Sequence, residues 1–500
     1  MSGLPHGWMW VSLDEVAEIR GGIQKQAKRR PVANTYPFLR VANVLRGQLN
    51  LADVHEIELF DGEIDRYRLR KGDLLVVEGN GSPDQIGRAA VWDGSIENCV
   101  HQNHLIRVRP SGAILPAYLQ FAWNSPMVYR HLRRIAGSTS GLYTLSTSKL
   151  SSVRLPLPPL AEQRRIVAAL ETLLVRVDAA TKTVEAVGTR CEALAQRYID
   201  ESIAGAPSEE VESGSIASVA DSRQLGSYVR LRLPDSYALP KRWRVATLEQ
   251  LVRSDKKPAY GVLVPGEHVE DGTPFVRIGD LARGGVRVDS LKKIDPVIAS
   301  KYPRTLLSGG EVLLSLVGTI GRSAVVPSTL AGANVARALG VFPLDEYIVN
   351  PRWVVNVLST SLIRKILDGA ANEVARKTLN LEDARRCPII LPPREVQDRI
   401  VDSLEAGLDG MWRLRDATRG IVLRSATLRA TIFARAFSGR LVPQDPNDEP
   451  ASELLARIRA ERAAVPPKQR AGRGRRTQKD KPAPPTRVIG RDYQQGELPL

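Results

Sequence analysis

Few side chains in this sequence stand at spacings that chemistry requires. The nearest approach to a metal set is Cys99 with His101-Gln102-Asn103-His104. Protein zinc sites draw on ligand pairs repeated at short spacing, and the six histidines and three cysteines form no second cluster. These read as core or surface residues, so no metal site is expected. Asn350-Pro351-Arg352-Trp353 resembles part of the Asn-Pro-Pro-aromatic motif of amino-group methyltransferases, but its second proline is missing. Pro351 also falls opposite Pro116 in an internal repeat, as a turn residue would. A nuclease needs clustered carboxylates and a lysine; Asp235 with Asp255-Lys256-Lys257 fits loosely, and Glu-x-Lys never occurs. There is no GxxxxGK[ST] phosphate loop, no GxGxxG loop after a strand and no Gly-x-Ser-x-Gly elbow. The expectation is a binding protein with no catalytic residue and no cofactor of its own.

What remains is basic and polar chemistry. Lys and Arg number 71 against 55 Asp and Glu, a net charge of +16. Such a surplus implies a polyanionic partner, most simply a nucleic acid. Base edges are read by Arg, Lys, Asn, Gln, Ser and Thr, and phosphates mainly by Arg and Lys. The candidates in the first half are Lys25, Lys28, Arg29 and Arg30, then Arg40 and Asn43, then Asn80, Ser82, Gln85 and Arg88, and finally Ser138, Thr139, Ser140 and Tyr143. In the second half they are Lys256, Lys257 and Tyr260, then Arg277 and Asp280, Thr319 and Arg322, and Asn372, Arg376 and Lys377.

These residues sit in a tandem repeat. Leu157-Pro-Pro-Leu-Ala-Glu-Gln163 with Arg165-Ile-Val167 returns from Leu391, and eight of fourteen positions from Leu157 to Leu170 are identical in the copy from Leu391 to Leu404. Leu4-Pro5, Trp8 and Leu13 return as Leu239-Pro240, Trp243 and Leu248; Pro37-Phe38 returns as Pro274-Phe275; Ile86-Gly87-Arg88 returns as Ile320-Gly321-Arg322. The first copy carries four extra residues just before Ile86. If the two copies contact different base sequences, their base contacts should differ, so the matched pairs Arg40/Arg277 and Arg88/Arg322 are expected to hold phosphates or structure. The unmatched loop residues, the insertion at 80–85 above all, are expected to read bases.

Each copy has a mixed first part and a helical second part. LLVVEGNG (74–81) and VLLSLVGT (312–319) read as buried strands ending in glycine loops; 118–136 and 353–371 have helical spacing. After each Leu-Pro-Pro, apolar residues recur every four then three positions, the coiled-coil pattern. The first seam is Ile166, Leu170, Leu173, Val177, Ala180, Val184, Val187, Cys191, Leu194 and Tyr198; the second is Ile400, Leu404, Gly407, Met411, Leu414, Thr418, Ile421, Ser425, Leu428 and Ile432. Gly407, Thr418 and Ser425 weaken the second seam, so it should need the first helix as partner, most simply antiparallel, each about 50 Å long at ~1.5 Å per residue.

The expected fold class is therefore α+β: two mixed α/β domains alternating with two long helices that pair as an antiparallel coiled coil in a pseudo-twofold repeat. The boundaries read as 1–155 and 239–390 for the mixed domains, 156–205 and 391–440 for the helices, 206–238 for a flexible linker, 441–464 for a turn and short helix, and 465–500 for a basic disordered tail. Basic residues exceed acidic ones by 5 in 1–155, by 7 in 239–390 and by 6 in 465–500, while the helices are near neutral. No apolar run approaches the ~18 residues of a membrane span, the N-terminus lacks a secretory pattern, and three scattered cysteines suit a reducing compartment. A cytoplasmic location is expected.

This organisation resembles the specificity subunit of a Type I restriction–modification system, from about residue 4 to 462. The most specific pieces are the two Leu-Pro-Pro segments, Gly318-Thr-Ile-Gly-Arg322, and the run from Ala436 to Arg462. The resemblance implies two target-recognition domains, each reading one half of a bipartite asymmetric site on double-stranded DNA in a bacterial or archaeal cell. It implies paired helices that dock two adenine-N6 methyltransferase (M) subunits, with S-adenosylmethionine bound there and not on this chain. ATP and Mg would belong to restriction (R) subunits, of which there would be two where present. A structural coiled-coil adaptor, and an enzyme with a cryptic nuclease or methyltransferase site, stay open as alternatives.

Overall fold

A computed structural model of the chain describes residues 4–82, 84–139, 142–204, 233–234, 239–240, 242–282, 284–373 and 377–464. The expected basic tail, and all of the linker except 233–234, lie outside the described residues. One compact unit joins the chain up to Ala169 with the segment from Phe433; the other is Leu170–Ile432.

The two mixed domains share their main sheets. Each closes on itself by pairing its first strand with its last, Met9–Ser12 with Arg154–Leu157 and Arg244–Thr247 with Pro388–Leu391. Four antiparallel strands follow in the spatial order Ala17–Gly21, Leu105–Pro110, Leu74–Val77, Ala89–Val91 in the first copy. The second copy repeats that order with Ala259–Tyr260, Leu339–Phe342, Val312–Ser315 and Ser323–Val325. The runs Leu74–Val77 and Val312–Ser315 are buried on both faces, as their unbroken apolar character implied. A second sheet pairs Thr35–Leu39 in parallel with Val100–His101, and Thr273–Val276 in parallel with Asn334–Val335.

The two runs expected as single helices are each split in two. Pro116–Trp123 gives way to Pro126–Ile135, and Pro351–Ser359 to Ser361–Ala370. Ser125 and Thr360 interrupt them by capping, their hydroxyls accepting from the backbone N–H of Val128 and Ile363, which favours a new helix start over continuation. Pro116 and Pro351 occupy first-turn positions, where a missing N–H costs nothing.

The Leu-Pro-Pro motif is a joint between domain and helix. Gln163 and Gln397 are fully buried in the first turns of the long helices Leu160–Ala204 and Arg394–Ala436. Gln163 donates to the carbonyls of Ala113 (2.9 Å) and Pro158 (3.1 Å) and accepts from the Leu115 N–H (2.8 Å). Gln397 donates to Pro392 (2.9 Å) and accepts from the Asn350 N–H (2.9 Å). In each copy one amide thus satisfies the chain entering the long helix and the chain entering the first of the domain's two paired helices, at Pro116 or Pro351.

The long helices run antiparallel within Leu170–Ile432. Asp178 pairs with Arg429, Gly188 faces Thr418, Glu192 bonds Arg419, and Tyr198 bonds Ser403, so numbers fall on one helix as they rise on the other. The seam itself needs correction. Six of the twenty expected positions, Ile166, Leu170, Cys191, Leu404, Thr418 and Ile432, are buried, and nine more are half-buried. The intervening set is not: Leu194, Leu414, Ile421 and Leu428 are 43–56% exposed. The inward positions lie one residue later, at Gly188 and Ala195 on the first helix and Leu408, Arg415 and Val422 on the second. A stripe chosen by apolar spacing passes over Gly188 and Arg415. Here small residues admit large ones, for the position a Gly407 Cβ would occupy lies 2.5 Å from the Tyr198 ring, and that of Gly188 lies 3.0 Å from the Thr418 hydroxyl. Gly407 and Thr418 therefore fit the pairing rather than weaken it.

The C-terminal end of each long helix packs on the mixed domain of the other repeat. Ala195, Ile199 and Ile203 join the core of the second domain with Trp353, Val357 and Ile363. At the matching place Phe437 meets Tyr118 edge-on at 5.7 Å, and Phe433 lies 6.4 Å from Phe121. The chain after Gly439, whose φ of +69° marks a glycine helix end, then lies along the first domain. Arg165 holds Asp448 (2.6 Å), Glu162 accepts from Trp8 (2.8 Å) and Gln444 (2.6 Å), and the Ala451 N–H donates to Gly7 (2.9 Å).

Candidate nucleic-acid interface

Several sequence candidates are structural. Asn43 and Asp280 are buried, and each accepts the backbone N–H three residues earlier, from Arg40 and Arg277 (both 2.8 Å). Asn43 also donates to the carbonyls of Asn50 and Asp53. The matched pair is a turn cap in both domains. Arg40 is tied to Asp53 (2.7 Å) and Arg277 to Asp280 (3.2 Å). Arg88 donates to the carbonyls of Val44 (2.6 Å) and Val41 (3.0 Å), whereas its repeat partner Arg322 is exposed.

In the first basic stretch Lys25, Lys28 and Arg30 are exposed. Arg29 is engaged by both Glu63 oxygens (2.7 and 2.8 Å), and its guanidinium lies 4.6 Å from the Phe60 ring centre. The hydrogen bond from Arg29, outweighing partial burial, holds the Glu63 carboxyl down from 4.5 to about 2. A depressed acid stabilises the fold above its unfolded value and loses that contribution as pH falls through the folded one. Wild-type protein should therefore lose roughly 1–2 kcal/mol between pH 4.5 and pH 2 from this pair, after allowance for solvent screening. Glu63→Gln should lower stability by that amount at pH 7 and flatten the acid limb. Urea unfolding followed by circular dichroism at pH 7 and pH 3 reads both; equal pH dependence in the two proteins would refute it.

The insertion loop and the late hairpin come together. Gly79–Asn80 pairs with Leu142–Thr144, which pairs with Gly137–Thr139, and Tyr143 lies opposite Asn80. Asn80 accepts from the Ser82 N–H (2.9 Å), Ser82 from the Asp84 N–H (3.3 Å) and Gln85 from Arg88 (3.0 Å). The second copy repeats the place: Asn372–Glu373 pairs with Lys377–Thr378, Val317 bridges Thr378, and Gly318 donates to the Lys377 carbonyl. Thr319 and Arg322 stand exposed beside it. Tyr143 and Lys377 thus occupy one structural position with different chemistry. Ser140 and Arg376, and the side chains of Ser138, Thr139 and Asn372, lie outside the described residues.

The other candidates divide. Lys256 is drawn inward to the buried Glu311 (3.3 Å) and the Leu306 carbonyl (3.3 Å), Lys257 is exposed, and the exposed Tyr260 accepts at its hydroxyl from the Leu381 N–H (2.6 Å). Of the loose nuclease set, Asp255 is bound by Arg253 (2.6 Å) and Asp235 lies outside the described residues. Cys99 and His101 are buried in the core while His104 faces Glu78 at the surface. Burial, seconded by the charge of Arg107, presses the His101 imidazole down to about 3. Among the described residues no three His, Cys, Asp or Glu side chains gather as a metal set.

One cluster escaped the sequence reading. Arg46 lies 4.5 Å and Arg133 5.9 Å from the Tyr129 ring centre, and Asp84 bonds both Arg133 (3.4 Å) and the Tyr129 hydroxyl (3.2 Å). Its members come from three separate segments, so spacing could not join them. The position of Asp84 in the four-residue insertion was the available signal.

A family model described as the Type I restriction modification DNA specificity domain matches residues 5–186. The chain is 27% identical to the Type I restriction enzyme EcoBI specificity subunit of Escherichia coli, across 91% of this chain and 93% of that one. It is 21% identical to the putative MjaX specificity subunit of Methanocaldococcus jannaschii, across 81% and 87%. A solved chain from work on complex assembly and conformational transition of the type I R-M system shares the fold, with TM-score 0.63 and 19% identity over 88% of this chain and all of that one. Matched domain, doubled architecture and relatives spanning nearly the whole chain agree: residues 5–186 match a Type I restriction modification DNA specificity domain, and the chain is similar along most of its length to Type I restriction enzyme specificity subunits.

Proposed function

We propose that this chain reads a bipartite, asymmetric duplex target, one half through each mixed domain, and does no chemistry itself. The observation that carries this is the pair of domains with one strand order and one hairpin register but unlike side chains at the matched places: Tyr143 against Lys377, and an insertion bearing Asp84 against none. Equivalent scaffolds presenting unlike groups read unlike sequences. The exposed apolar residues Leu194, Leu414, Ile421 and Leu428 supply a face along the helices for protein partners. Two methyltransferase subunits carrying S-adenosylmethionine would dock there. Restriction subunits with ATP and Mg would complete a cleaving complex in the cytoplasm. Among the described residues no helix is long and apolar enough to cross a membrane.

Exchanging residues 14–155 for the equivalent domain of another family member should change one half of the methylated sequence and leave the other intact. Methylation-sensitive sequencing of a genome modified by the hybrid with its methyltransferase reads the result. A change in both halves overturns the two-reader model.

A further inference from the structure

In the first domain an internal carboxylate sits where an external anion would be expected. Arg46 and Arg133 flank the Tyr129 ring, an arrangement that directs two guanidinium groups toward one side of the surface. The group they meet is Asp84: its carboxylate takes Arg133 at 3.4 Å and the Tyr129 hydroxyl at 3.2 Å, and its backbone carbonyl accepts from Arg46 at 3.3 Å. Asp84 is 68% exposed and Arg133 48% exposed, so this is a surface contact rather than a buried lock. Exposed pairs of this kind are weak, while arginine to phosphate is a stronger, charge-assisted and often bidentate contact. The carboxylate is thus replaceable by a better anion at little cost.

Among the described residues the second domain shows no such arrangement. The matched helix carries Asp368 where the first carries Arg133, and Asp368 is held by Lys377 of the hairpin at 2.7 Å. The acid is on the helix and the base on the loop, the reverse of the first domain. The four-residue insertion is therefore what brings an acid to the arginines of the first domain.

We propose that Asp84 is a built-in surrogate for a DNA backbone phosphate: it orders Arg46, Tyr129 and Arg133 in the free protein and is exchanged for a phosphate when duplex docks. This rests on the DNA-reading assignment above and adds to it a positioning group and the side chains that receive the phosphate.

The test uses the full chain and a fluorescein-labelled mixed-sequence duplex of about 30 base pairs, with anisotropy measured across a salt series. Asp84→Asn should tighten binding about three- to tenfold and steepen the salt dependence by up to about one unit of slope, as one more phosphate is neutralised. Asp84→Glu, which keeps the charge, should stay within about twofold of wild type. The gain from Asp84→Asn should vanish when Arg46→Gln and Arg133→Gln are also present. A gain that persists without the arginines overturns the exchange, since it would then be plain charge repulsion. Weaker binding by Asp84→Asn overturns it too, by making Asp84 a direct DNA contact. Failure of every variant and of wild type to bind duplex is a different result and removes the DNA-reading assignment itself.

Discussion

Gly261→Ala should unfold the second domain at temperatures where wild type is intact. A Cβ at this position would stand 2.1 Å from the Val335 carbonyl oxygen and 2.5 Å from that of Ala336. Neither oxygen can retreat freely, because the Val335 carbonyl accepts from Val262 at 2.7 Å, the bond that bridges Val262 to Ala336 in parallel. The clash is with backbone, so no rotamer change relieves it, and the loss should be on the order of 4 kcal/mol, at the severe end for single substitutions. Thermal unfolding should show the midpoint falling by roughly 10 °C. Gly22→Ala makes the same prediction for the first domain, where the added carbon would lie 2.3 Å from the carbonyls of His101 and Gln102. A midpoint within about 2 °C of wild type would mean that these crossings are looser than the geometry states. The two glycines share this role at equivalent places, which ties a sequence feature to the paired sheets rather than to turn formation.

The second large effect separates the two phases of the helix seam. Leu404→Asp places a carboxylate into a fully buried position among Ala195, Ile199, Val357 and Leu408. An unpaired buried charge costs several kcal/mol, so the variant should be insoluble or lack the cooperative unfolding transition of the second unit. Leu414→Asp, one of the apolar positions a heptad reading equates with Leu404, is half exposed and should fold with a melting temperature within about 2 °C of wild type. It should still impair co-purification of the methyltransferase subunits that the exposed stripe is proposed to bind. Equal damage to folding from both substitutions would restore the original seam.

Legibility followed the length scale of the interaction. The repeat, the two long helices, the buried strands and the helix-opening motif were open to reading because each is a property of contiguous residues. The choice between Leu194 and Ala195, or Leu414 and Arg415, was not, because it depends on which small residue faces which large one across two helices. Site residues divide the same way. The equivalence of Arg40 and Arg277 was visible as a repeat, whereas the role of Asn43 and Asp280, chosen as DNA contacts, as caps of the same turn was not. The Arg46–Tyr129–Arg133–Asp84 cluster was invisible because two loops and a helix from separate segments meet only in the fold. Arg29 and Lys256 carried the right charge for contacting DNA, but Glu63 and Glu311 already claim them. Charge in a sequence counts groups and does not say which are spent.

The exchange of helix ends has a consequence for synthesis. The first domain is covered by Phe433, Phe437 and the strap to Arg459, and these emerge from the ribosome after all of the second unit. At about 5–20 residues per second, the first domain waits roughly 15–50 s between its own completion and the arrival of its cover. During that interval Tyr118 and Phe121 lack their aromatic partners and Glu162 lacks Gln444. A translational pause before residue 433 would therefore lengthen the exposure of these groups rather than protect them.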